Sequence, residues 1–512
     1  MKIIRIAGIA VLMSAFLFIF DSCTKNFEEI NTDPDNPLLE QAAPDMLLTD
    51  AIEVLTDRVH EIFFGEEMGN CWVQQHAKVQ YTDEDRYIYR TSVVNAAWTS
   101  LYANSGMDVQ ALYNVAVSRQ HANYQGVSLV LKAYIVSLIT DLWGPVPYTQ
   151  AFTGSGNLSP AYDSQESIYR DLITKLEEAN SLLNPDGASI GGDILYNNDI
   201  MKWKKFANSL KLRLLLRMSA KDAAFVTTEM QKILNAPDVY PIFESNDDNA
   251  ALWYLGSAPN NHPWNENRKT RDDHRVSNTI IDIQWTNSPY VDWRLCLYAD
   301  LDANNTYEGM PNGLTSSQAA SYNGNGIKNT SKVGAWFTAA TAPGMLMSFA
   351  ELHFILAEAA HKGYIPGGDV KAGEYYVEGI MTSYRQYGAD LVAAVDANLG
   401  LPSATWDADS LALDFYANDV WQWDAANAME LIGTQKWVAM YDQGLQSFIE
   451  WRRIGFPVLI PAAEGMNEGK VPIRFPYPTD EYARNPSNVN AAVSDLLGGP
   501  DDLNTPVWWD VN

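Results

Sequence analysis

The chain has 512 residues, of which 47% are apolar, so it is long enough to bury a large core. Its formal net charge of −28 argues against a nucleic-acid partner and against a polybasic surface for anionic membranes. The 16 tryptophans and 26 tyrosines are a surplus that must be explained by the core, by an interface or by stacking against a ligand.

Residues 1–22 have the layout of a signal peptide. Two basic residues precede an apolar run from residue 6 to residue 20, which is too short to span a bilayer comfortably. The run ends in a bacterial lipobox-like segment whose cysteine, Cys23, would be acylated after cleavage, although Phe20 stands where leucine is more usual. We therefore expect a lipid anchor at Cys23. The alternative is an incidental cysteine after a plain export signal.

A polar tether and then a helical domain follow. Residues 23–43 are rich in Asn, Asp and Pro, which predicts a flexible acylated tether. From residue 44 onward, apolar side chains recur at helical spacing in paired segments. The predicted pairs are 92–118 with 121–142, 164–184 with 199–220, 344–361 with 369–387, and 425–442 with 444–455. We predict one all-α domain, 44–512, built from tetratricopeptide-like helical hairpins.

An irregular region at about 236–340 separates the second helical pair from the third. It is rich in Asn, Gly, Pro, Trp and Tyr. Loops of this length in a compact protein are usually functional, so we expect this region to carry the ligand site.

Two cysteines, Cys71 and Cys296, follow Cys23. They could form one disulfide in an oxidising compartment or remain separate buried thiols, and their spacing does not decide between these states. Two cysteines are too few for a cysteine-type metal cluster.

Several blocks of sequence, taken in order, resemble a single protein family. They are NFEEINTDPDNP (26–37), LITDLWGPVPYTQAF (138–152), KWKKFANSLKLRLLLRMS (202–219), SFAELHFILAEAAHKG (348–363), WVAMYDQGLQSFIEWRRIGFPVL (437–459), RFPYPTDEYARNPSNVNAAV (474–493) and TPVWWD (505–510). This ordered series resembles the SusD/RagB-like nutrient-binding outer-membrane lipoproteins of Bacteroidota. The resemblance covers essentially the whole mature chain.

The resemblance implies an all-α fold whose tetratricopeptide-like hairpins pack against a SusC-like, TonB-dependent barrel transporter. It also implies a lipid-anchored protein at the surface of the outer membrane, which captures glycans or, in some branches, peptides without catalysis. The matching blocks are fold landmarks and contain no shared ligand motif. No ligand residue is therefore carried over from the family to this chain. Within one block, we expect Asn208 to bind a neighbouring backbone group.

Two aromatic-rich stretches, 69–89 and 258–275, are predicted to bind the ligand. Sugar recognition needs flat apolar surfaces for the pyranose rings and planar polar groups for the hydroxyls. The candidate residues are Trp72, Gln74, Tyr81, Asp83, Arg86, Tyr87, Trp264, Asn265, Asn267 and Arg268, with Trp285 and Trp336 from the irregular region. The alternative for each aromatic residue is that it packs a loop onto the helical body.

Catalytic and metal-binding motifs are weak. The sequence has no H-E-x-x-H, nucleophile elbow, P-loop or dinucleotide fingerprint in a suitable context. We expect no catalysis and no cofactor, although the sequence leaves room for a carboxylate pair that hydrolyses glycosides. Asp300, Asp302 and Asn304 begin like a calcium-binding loop, but the sixth position lacks Gly and the twelfth lacks Glu. They are the only candidates for a structural calcium ion.

Three functions are consistent with these patterns. The expected one is a non-catalytic surface lipoprotein that captures oligosaccharides and hands them to the SusC-like transporter. The second is the same scaffold capturing peptides or another nutrient. The third is a surface glycosidase on a helical frame.

Overall fold

A computed structural model describes residues 42–286, 291–400, 406–417 and 420–511. The chain divides into two units, Met1–Ala43 and Pro44–Asn512, and the elements described below belong to the second. The predicted signal peptide, Cys23 and the tether up to residue 41 lie outside the described residues.

Helices dominate the described residues. The α-helices are α1 (Pro44–Val59), α2 (Thr91–Thr99), α3 (Met107–Ser118), α4 (Ala122–Trp143), α5 (Gln165–Leu182), α6 (Ile200–Arg217), α7 (Ala223–Leu234), α8 (Pro263–Arg268), α9 (Asn278–Ile281), α10 (Leu295–Tyr298), α11 (Ser316–Ser321), α12 (Phe349–His361), α13 (Gly368–Arg385), α14 (Gly388–Leu399), α15 (Ala408–Tyr416), α16 (Ala428–Ala439), α17 (Gly444–Ile454), α18 (Thr479–Arg484) and α19 (Pro486–Asp495). π-Helical segments lie at Ile62–Asn70, Ser100–Gly106 and Asp282–Thr286. Short 3-10 turns lie at Glu84–Arg86, Gly154–Gly156, Asn246–Asp248, Tyr322–Gly324 and Ala425–Asn427.

Strands are few and short, and they form two-stranded antiparallel ribbons. They are β1 (His76–Lys78), β2 (Val146–Pro147), β3 (Tyr162–Asp163), β4 (Ala250–Trp253), β5 (His274–Val276) and β6 (Pro343–Met347). β1 pairs with β5, β2 with β3, and β4 with β6. The all-α prediction is confirmed.

Helical hairpins build the body of the protein. α4 packs against α3 and α5, α5 packs against α6, and α12 packs against α13. α4 is long and apolar enough to cross a membrane, but 94% of its most apolar window is buried inside the molecule. A helix that is apolar on all sides and covered by its neighbours is a core helix.

Polar side chains fix the ends of these helices. The Asp199 carboxylate accepts hydrogen bonds from the backbone N–H groups of Met201 and Lys202 at 2.9 and 3.2 Å, which caps the start of α6. Inside the same helix, Asn208 donates its side-chain amide to the Pro241 carbonyl at 2.8 Å. The prediction that Asn208 binds a neighbouring backbone group is confirmed.

Two predicted helices differ from the observed ones. The segment 344–361 becomes helical only at Phe349, because Pro343–Met347 pairs as strand β6 with β4. The segment 92–118 is helical, but it widens into a π-helix at Ser100–Gly106. Gly106 lies in this segment against the Phe152 ring, which an added Cβ would approach to 2.6 Å.

Buried ionic groups connect helices that are distant in sequence. Arg217, at the end of α6, is fully buried and pairs with Asp141 on α4 and Glu450 on α17 at 2.7 and 2.9 Å. Cys71 and Cys296 are free, buried thiols, so the disulfide alternative is wrong. Burial raises the pKa of the Cys296 thiol to about 11.

Candidate functional site

A cleft with a volume of about 780 Å³ opens where three parts of the chain meet. α9 and the π-helical residues after it form the first wall. Residues 420–434, which end in the first half of α16, form the second wall. The third wall is the rim loop, which we define as residues 456–466 after α17. This volume is in the range of sites that hold a small organic ligand.

Local hydrogen bonds set the position of the first wall. The Ser277 hydroxyl caps α9 by accepting from the Thr279 backbone N–H at 3.1 Å. The Asn278 backbone N–H donates to the Met310 carbonyl at 3.0 Å. These bonds place Asn278 and Thr279, and Asp282 just after the helix, along the cleft.

Gln74 joins the first wall to the rim loop. Its backbone lies in the left-handed region, with φ of 59°, and its side chain is buried. The side-chain carbonyl accepts from the Thr279 hydroxyl at 2.8 Å, and the side-chain NH₂ donates to the Ile460 carbonyl. Gln74 therefore lines the cleft chiefly as a cross-link between its walls.

Asn312 likewise cross-links segments of the chain at the floor of the cleft. Its side-chain NH₂ donates to Asp85 at 2.6 Å and to the His76 carbonyl at 2.7 Å, and its side-chain oxygen accepts from Ser277 at 2.5 Å. Burial raises the pKa of the Asp85 carboxyl to about 6, although hydrogen bonds from Gly313 and Asn312 oppose this shift. The floor is a saturated polar network.

The rim loop is held through its backbone. The Tyr87 hydroxyl accepts from the Ala462 N–H at 2.9 Å, and Arg86 donates to the Glu464 carbonyl at 3.1 Å. Because backbone groups make these anchors, the side chains of Val458 and Ile460 remain 76% and 80% exposed. The rim loop thus presents an apolar edge to the cleft and to solvent.

The second wall combines an indole with carboxylates. Trp421 is 9% exposed, and its indole N–H is buried without a hydrogen-bond acceptor among the described residues. Asp424 is exposed and accepts from the Ala426 N–H at 3.0 Å and the Asn427 amide at 2.8 Å. Glu430 is exposed on the first turn of α16.

The cleft is acidic. Its carboxylates are Asp282, Asp424 and Glu430, and none of the described residues that line it is Lys, Arg or His. The other polar groups are amides and hydroxyls, set beside the exposed apolar side chains of the rim loop. Apolar surfaces with planar acceptors are the combination that sugar recognition requires.

Most predicted ligand residues lie elsewhere. Of those residues, all of which the structure describes, only Gln74 lines the cleft. Arg86 and Tyr87 position the rim loop. Trp72 is fully buried between Phe448 and Phe475, and its indole donates to the Glu84 carbonyl at 3.0 Å. The prediction that Trp72 stacks on a ligand is wrong, because its ring belongs to the core.

The stretch 258–275 also folds inward. Trp264 is 3% exposed, with its ring against His76 and His274 at centroid distances of 5.6 and 5.1 Å. Its predicted role in stacking is therefore wrong as well. Asn265 donates to the Thr338 carbonyl at 3.2 Å, Arg268 pairs with Asp272 at 2.8 Å, and Asn267 is partly buried.

The remaining predicted residues are more accessible but lie outside the cleft. Tyr81 is 60% exposed beneath the Arg271 guanidinium, 4.6 Å from the ring centroid, and Asp83 is exposed. Trp285 packs edge-on against Tyr307, and the Trp336 indole donates to Asp390 at 2.9 Å. No ligand role is tested for these residues, so their roles stay predictions.

The candidate calcium loop is closed by its own hydrogen bonds. Asp302 accepts from the backbone N–H groups of Asn304 and Thr306 at 2.8 and 2.9 Å, and Asp300 accepts from the Ala335 N–H at 3.1 Å. Among the described residues, no group of three or more His, Cys, Asp or Glu side chains could hold a metal ion. Calcium at Asp300, Asp302 and Asn304 stays a prediction.

The residues that sequence reasoning missed are those of the second wall and the rim loop. They are Trp421, Asp424, Glu430, Val458 and Ile460. The run VWQWD at 420–424 has the same mixture of indoles and polar groups that marked the two predicted stretches. The exposed aliphatic pair of the rim loop has no comparable signal in the sequence.

The fold and the cleft define a helical protein whose candidate binding site lies between two helical segments and a loop. Residues 36–478 match the model of a SusD-like family that is described as starch-binding and associating with the outer membrane. The chain therefore belongs to the SusD-like family. A search of curated proteins found no match.

Solved structures agree with this assignment. A chitin-binding protein is 26% identical with a TM-score of 0.78, and the alignment covers 92% of this chain and 100% of that one. A chitin-binding SusD homologue from Flavobacterium johnsoniae is 24% identical with a TM-score of 0.73, covering 93% and 99%. A SusD homologue from Bacteroides fragilis is also 24% identical, with a TM-score of 0.75 and coverage of 92% and 99%. The last two similarities show the shared fold.

Proposed function

We propose that this protein is a non-catalytic outer-membrane lipoprotein that captures oligosaccharides in the cleft between α9, residues 420–434 and the rim loop. It is anchored through Cys23 and passes its ligand to a SusC-like, TonB-dependent barrel. The observation that carries the proposal is the cleft itself, in which exposed aliphatic side chains adjoin amides and carboxylates. Membership in a family described as starch-binding supports a glycan as the ligand.

The rim loop suggests how a sugar would be held. Val458 and Ile460 offer apolar surface that water covers in the free protein, and the C–H faces of a pyranose ring can displace that water. The backbone of the rim loop is fixed at Ile460 by Gln74 and at Ala462 by Tyr87, so the surface is preorganised and binding costs little loop ordering. Amides and carboxylates of the other walls then accept from sugar hydroxyls.

Affinity electrophoresis and calorimetry test the proposal with a soluble chain of residues 24–512. The panel is starch and maltoheptaose, soluble chitin and N-acetylglucosamine hexamer, and a set of short peptides. Starch and chitin are included because family members and similar structures are described as binding them. Binding of at least one glycan is expected, and binding of peptides alone would favour the second function.

A pair of substitutions places the ligand in the cleft. Val458→Ser with Ile460→Ser removes the exposed apolar edge, and we expect about tenfold weaker glycan binding from the lost apolar contact. Val370→Ser with Leu158→Ser is the matched control, because those side chains are each 78% exposed and lie outside the cleft. Equal affinity for both double variants would place the ligand elsewhere.

The same incubation tests the absence of catalysis. We expect every bound oligosaccharide to be recovered intact. Steady release of product that is abolished by replacing Asp282, Asp424 or Glu430 would favour the glycosidase alternative. Detergent extraction tests the hand-over partner. The barrel should copurify with the anchored protein, and it should not be recovered by the same purification from a strain without the lipoprotein.

A further inference from the structure

We propose that a second pocket, at the junction of α3, α4 and α5, binds a small organic carboxylate through Lys132. This lysine pocket has a volume of about 200 Å³ and is lined by Gln110, Lys132, Tyr148 and Lys175 together with apolar side chains. No Asp or Glu is among its described lining residues. It shares none of those residues with the cleft, so the proposal goes beyond glycan capture.

Two contacts place the Lys132 ammonium at the lysine pocket. It donates to the side-chain carbonyl of Gln110 at 2.6 Å, and it lies 5.9 Å from the centroid of the Tyr148 ring. Both partners line the pocket, as Lys132 does. The Gln110 amide is held in turn, because its NH₂ group donates to Asn114 at 2.9 Å. The positive charge of Lys132 therefore lies among the groups that form the pocket.

The partners of Lys132 are incomplete. An ammonium has three N–H donors, and Gln110 is the only hydrogen-bond acceptor of Lys132 in the part of the chain that the structure describes. No described carboxylate oxygen lies within 4.0 Å of this ammonium. The Phe152 ring, 4.8 Å away at its centroid, attracts the charge but accepts no ordinary hydrogen bond. Two N–H groups thus remain for the oxygens of a ligand.

Lysines that are almost fully buried elsewhere in the molecule have a carboxylate partner. The pairs are Lys78 with Glu67 at 2.6 Å, Lys211 with Glu177 at 2.7 Å, and Lys436 with Glu450 at 2.7 Å. Such pairing offsets the cost of removing an ammonium from water. Lys132 is partly buried and departs from this pattern, which indicates that its counter-charge comes from a ligand.

The charges around Lys132 favour an anion. Burial lowers the pKa of the Lys132 ammonium to about 8, Asp171 opposes this shift, and Lys175 adds to it. Asp171 is not among the described lining residues, and its carboxylate accepts from the Tyr148 hydroxyl. The titratable groups that line the pocket with Lys132 are Tyr113, Tyr148 and Lys175. An anionic head group would relieve the repulsion between the two lysines.

The rest of the lining selects an organic acid. Leu129, Ala133 and Leu172 also line the pocket. A volume of about 200 Å³ equals roughly six or seven water molecules at about 30 Å³ each, which is more than a carboxylate group fills. A short hydrocarbon chain attached to the carboxylate would cover these apolar side chains and displace water from them.

Calorimetric titration of residues 24–512 with sodium butyrate tests the proposal. Butyrate should bind saturably at one site, and neutral butyramide should bind at least about tenfold more weakly, because it lacks the charge that Lys132 requires. Inorganic phosphate should also bind more weakly than butyrate, because it has no hydrocarbon chain. Equal affinity for butyramide, or no saturable binding of butyrate below about 50 mM, would overturn the proposal. Phosphate that binds as tightly as butyrate would overturn the assignment of an organic acid.

Substitutions locate the site. Lys132→Met keeps most of the side-chain volume and should weaken butyrate binding at least about tenfold. Lys204→Met is the matched control, because Lys204 is also partly buried, donates to the Leu183 carbonyl at 3.3 Å and lies outside the pocket. It should leave the affinity unchanged. Lys175→Met, at a side chain that is 37% exposed, provides a second test that preserves the fold and should weaken binding about threefold.

The pH dependence provides an independent readout. Wild-type affinity for butyrate should fall by up to about tenfold between pH 7 and pH 9, as Lys132 loses its proton. This fall should be absent in Lys132→Met. Equal affinities for Lys132→Met and Lys204→Met, or the same pH dependence in Lys132→Met as in the wild type, would place the carboxylate elsewhere and overturn the proposal.

Discussion

Replacing Arg217 with Met should destabilise the protein strongly, because Arg217 is the shared partner of two buried carboxylates. Its side chain is fully buried and lies within 2.7 Å of Asp141 and 2.9 Å of Glu450, and it also donates to Gln446 at 2.6 Å. α4, α6 and α17 meet at this side chain. Methionine fills much of the volume but removes every one of these hydrogen bonds.

The loss of stability in Arg217→Met comes mainly from the buried carboxylate of Asp141. Burial raises the pKa of this carboxyl, and Arg217 is the largest opposing influence. Asp141 keeps hydrogen bonds from Trp509 at 2.7 Å and from Tyr169, while Glu450 keeps Lys436 at 2.7 Å. Breaking one partner of a buried ion pair costs about 3–5 kcal/mol, and the retained partners suggest the middle of that range, about 4 kcal/mol.

Urea unfolding followed by tryptophan fluorescence measures this loss. Arg170→Met is the control, because Arg170 pairs with Glu166 and Asp222 at the surface with a side chain that is 42% exposed, and should cost less than about 1 kcal/mol. Adding Asp141→Asn to Arg217→Met should recover part of the loss by removing the stranded charge. Equal losses for Arg217→Met and Arg170→Met would refute the reasoning.

Three further predictions concern separate parts of the molecule. Both carboxylate oxygens of Asp442 are buried without a partner among the described residues, and burial raises its pKa to about 7. The protonated Asp442 side chain stabilises the fold fully below its unfolded pKa, and this contribution is lost as the pH rises through about 7. Thermal melts should therefore show the Asp442→Asn variant to be more stable than the wild type at about pH 8, by up to roughly 4 kcal/mol, and equally stable near pH 4. Gly444→Ala should lower the melting temperature, since an added Cβ would lie 1.9 Å from the Asn70 side-chain oxygen, whereas Gly256→Ala, with no atom within 4 Å, should not. Cys23→Ala should move the protein from the membrane fraction to the soluble fraction without changing its glycan affinity in vitro; retention in the membrane would contradict the lipid anchor.

Helical periodicity predicted the scaffold because one face of each hairpin must be buried. Residues 164–184 and 199–220 became α5 and α6 within a few residues at each end. The same reasoning failed at Pro343–Met347. This run contains no polar residue that would reveal a periodicity, so it is compatible with a buried helix or a buried strand. The segment is a strand because it pairs with β4, which lies about 90 residues earlier in the chain.

The site was harder to predict because its walls come from distant segments. Gln74 donates to the backbone of Ile460, which lies 386 residues further along the chain, and local composition contains no trace of that contact. Clusters of aromatic and polar residues identified surplus tryptophans, but Trp72 and Trp264 pack inward against other aromatic rings. The exposed pair Val458 and Ile460 is ordinary in sequence and becomes distinctive only through its exposure.

A crystal structure of residues 24–512 with the tightest-binding glycan of the panel tests the central claim most directly. We expect the sugar between the rim loop and the second wall, with a ring on Ile460. A glycan bound outside the cleft at an exposed aromatic residue, such as Tyr81 or Trp253, would contradict it.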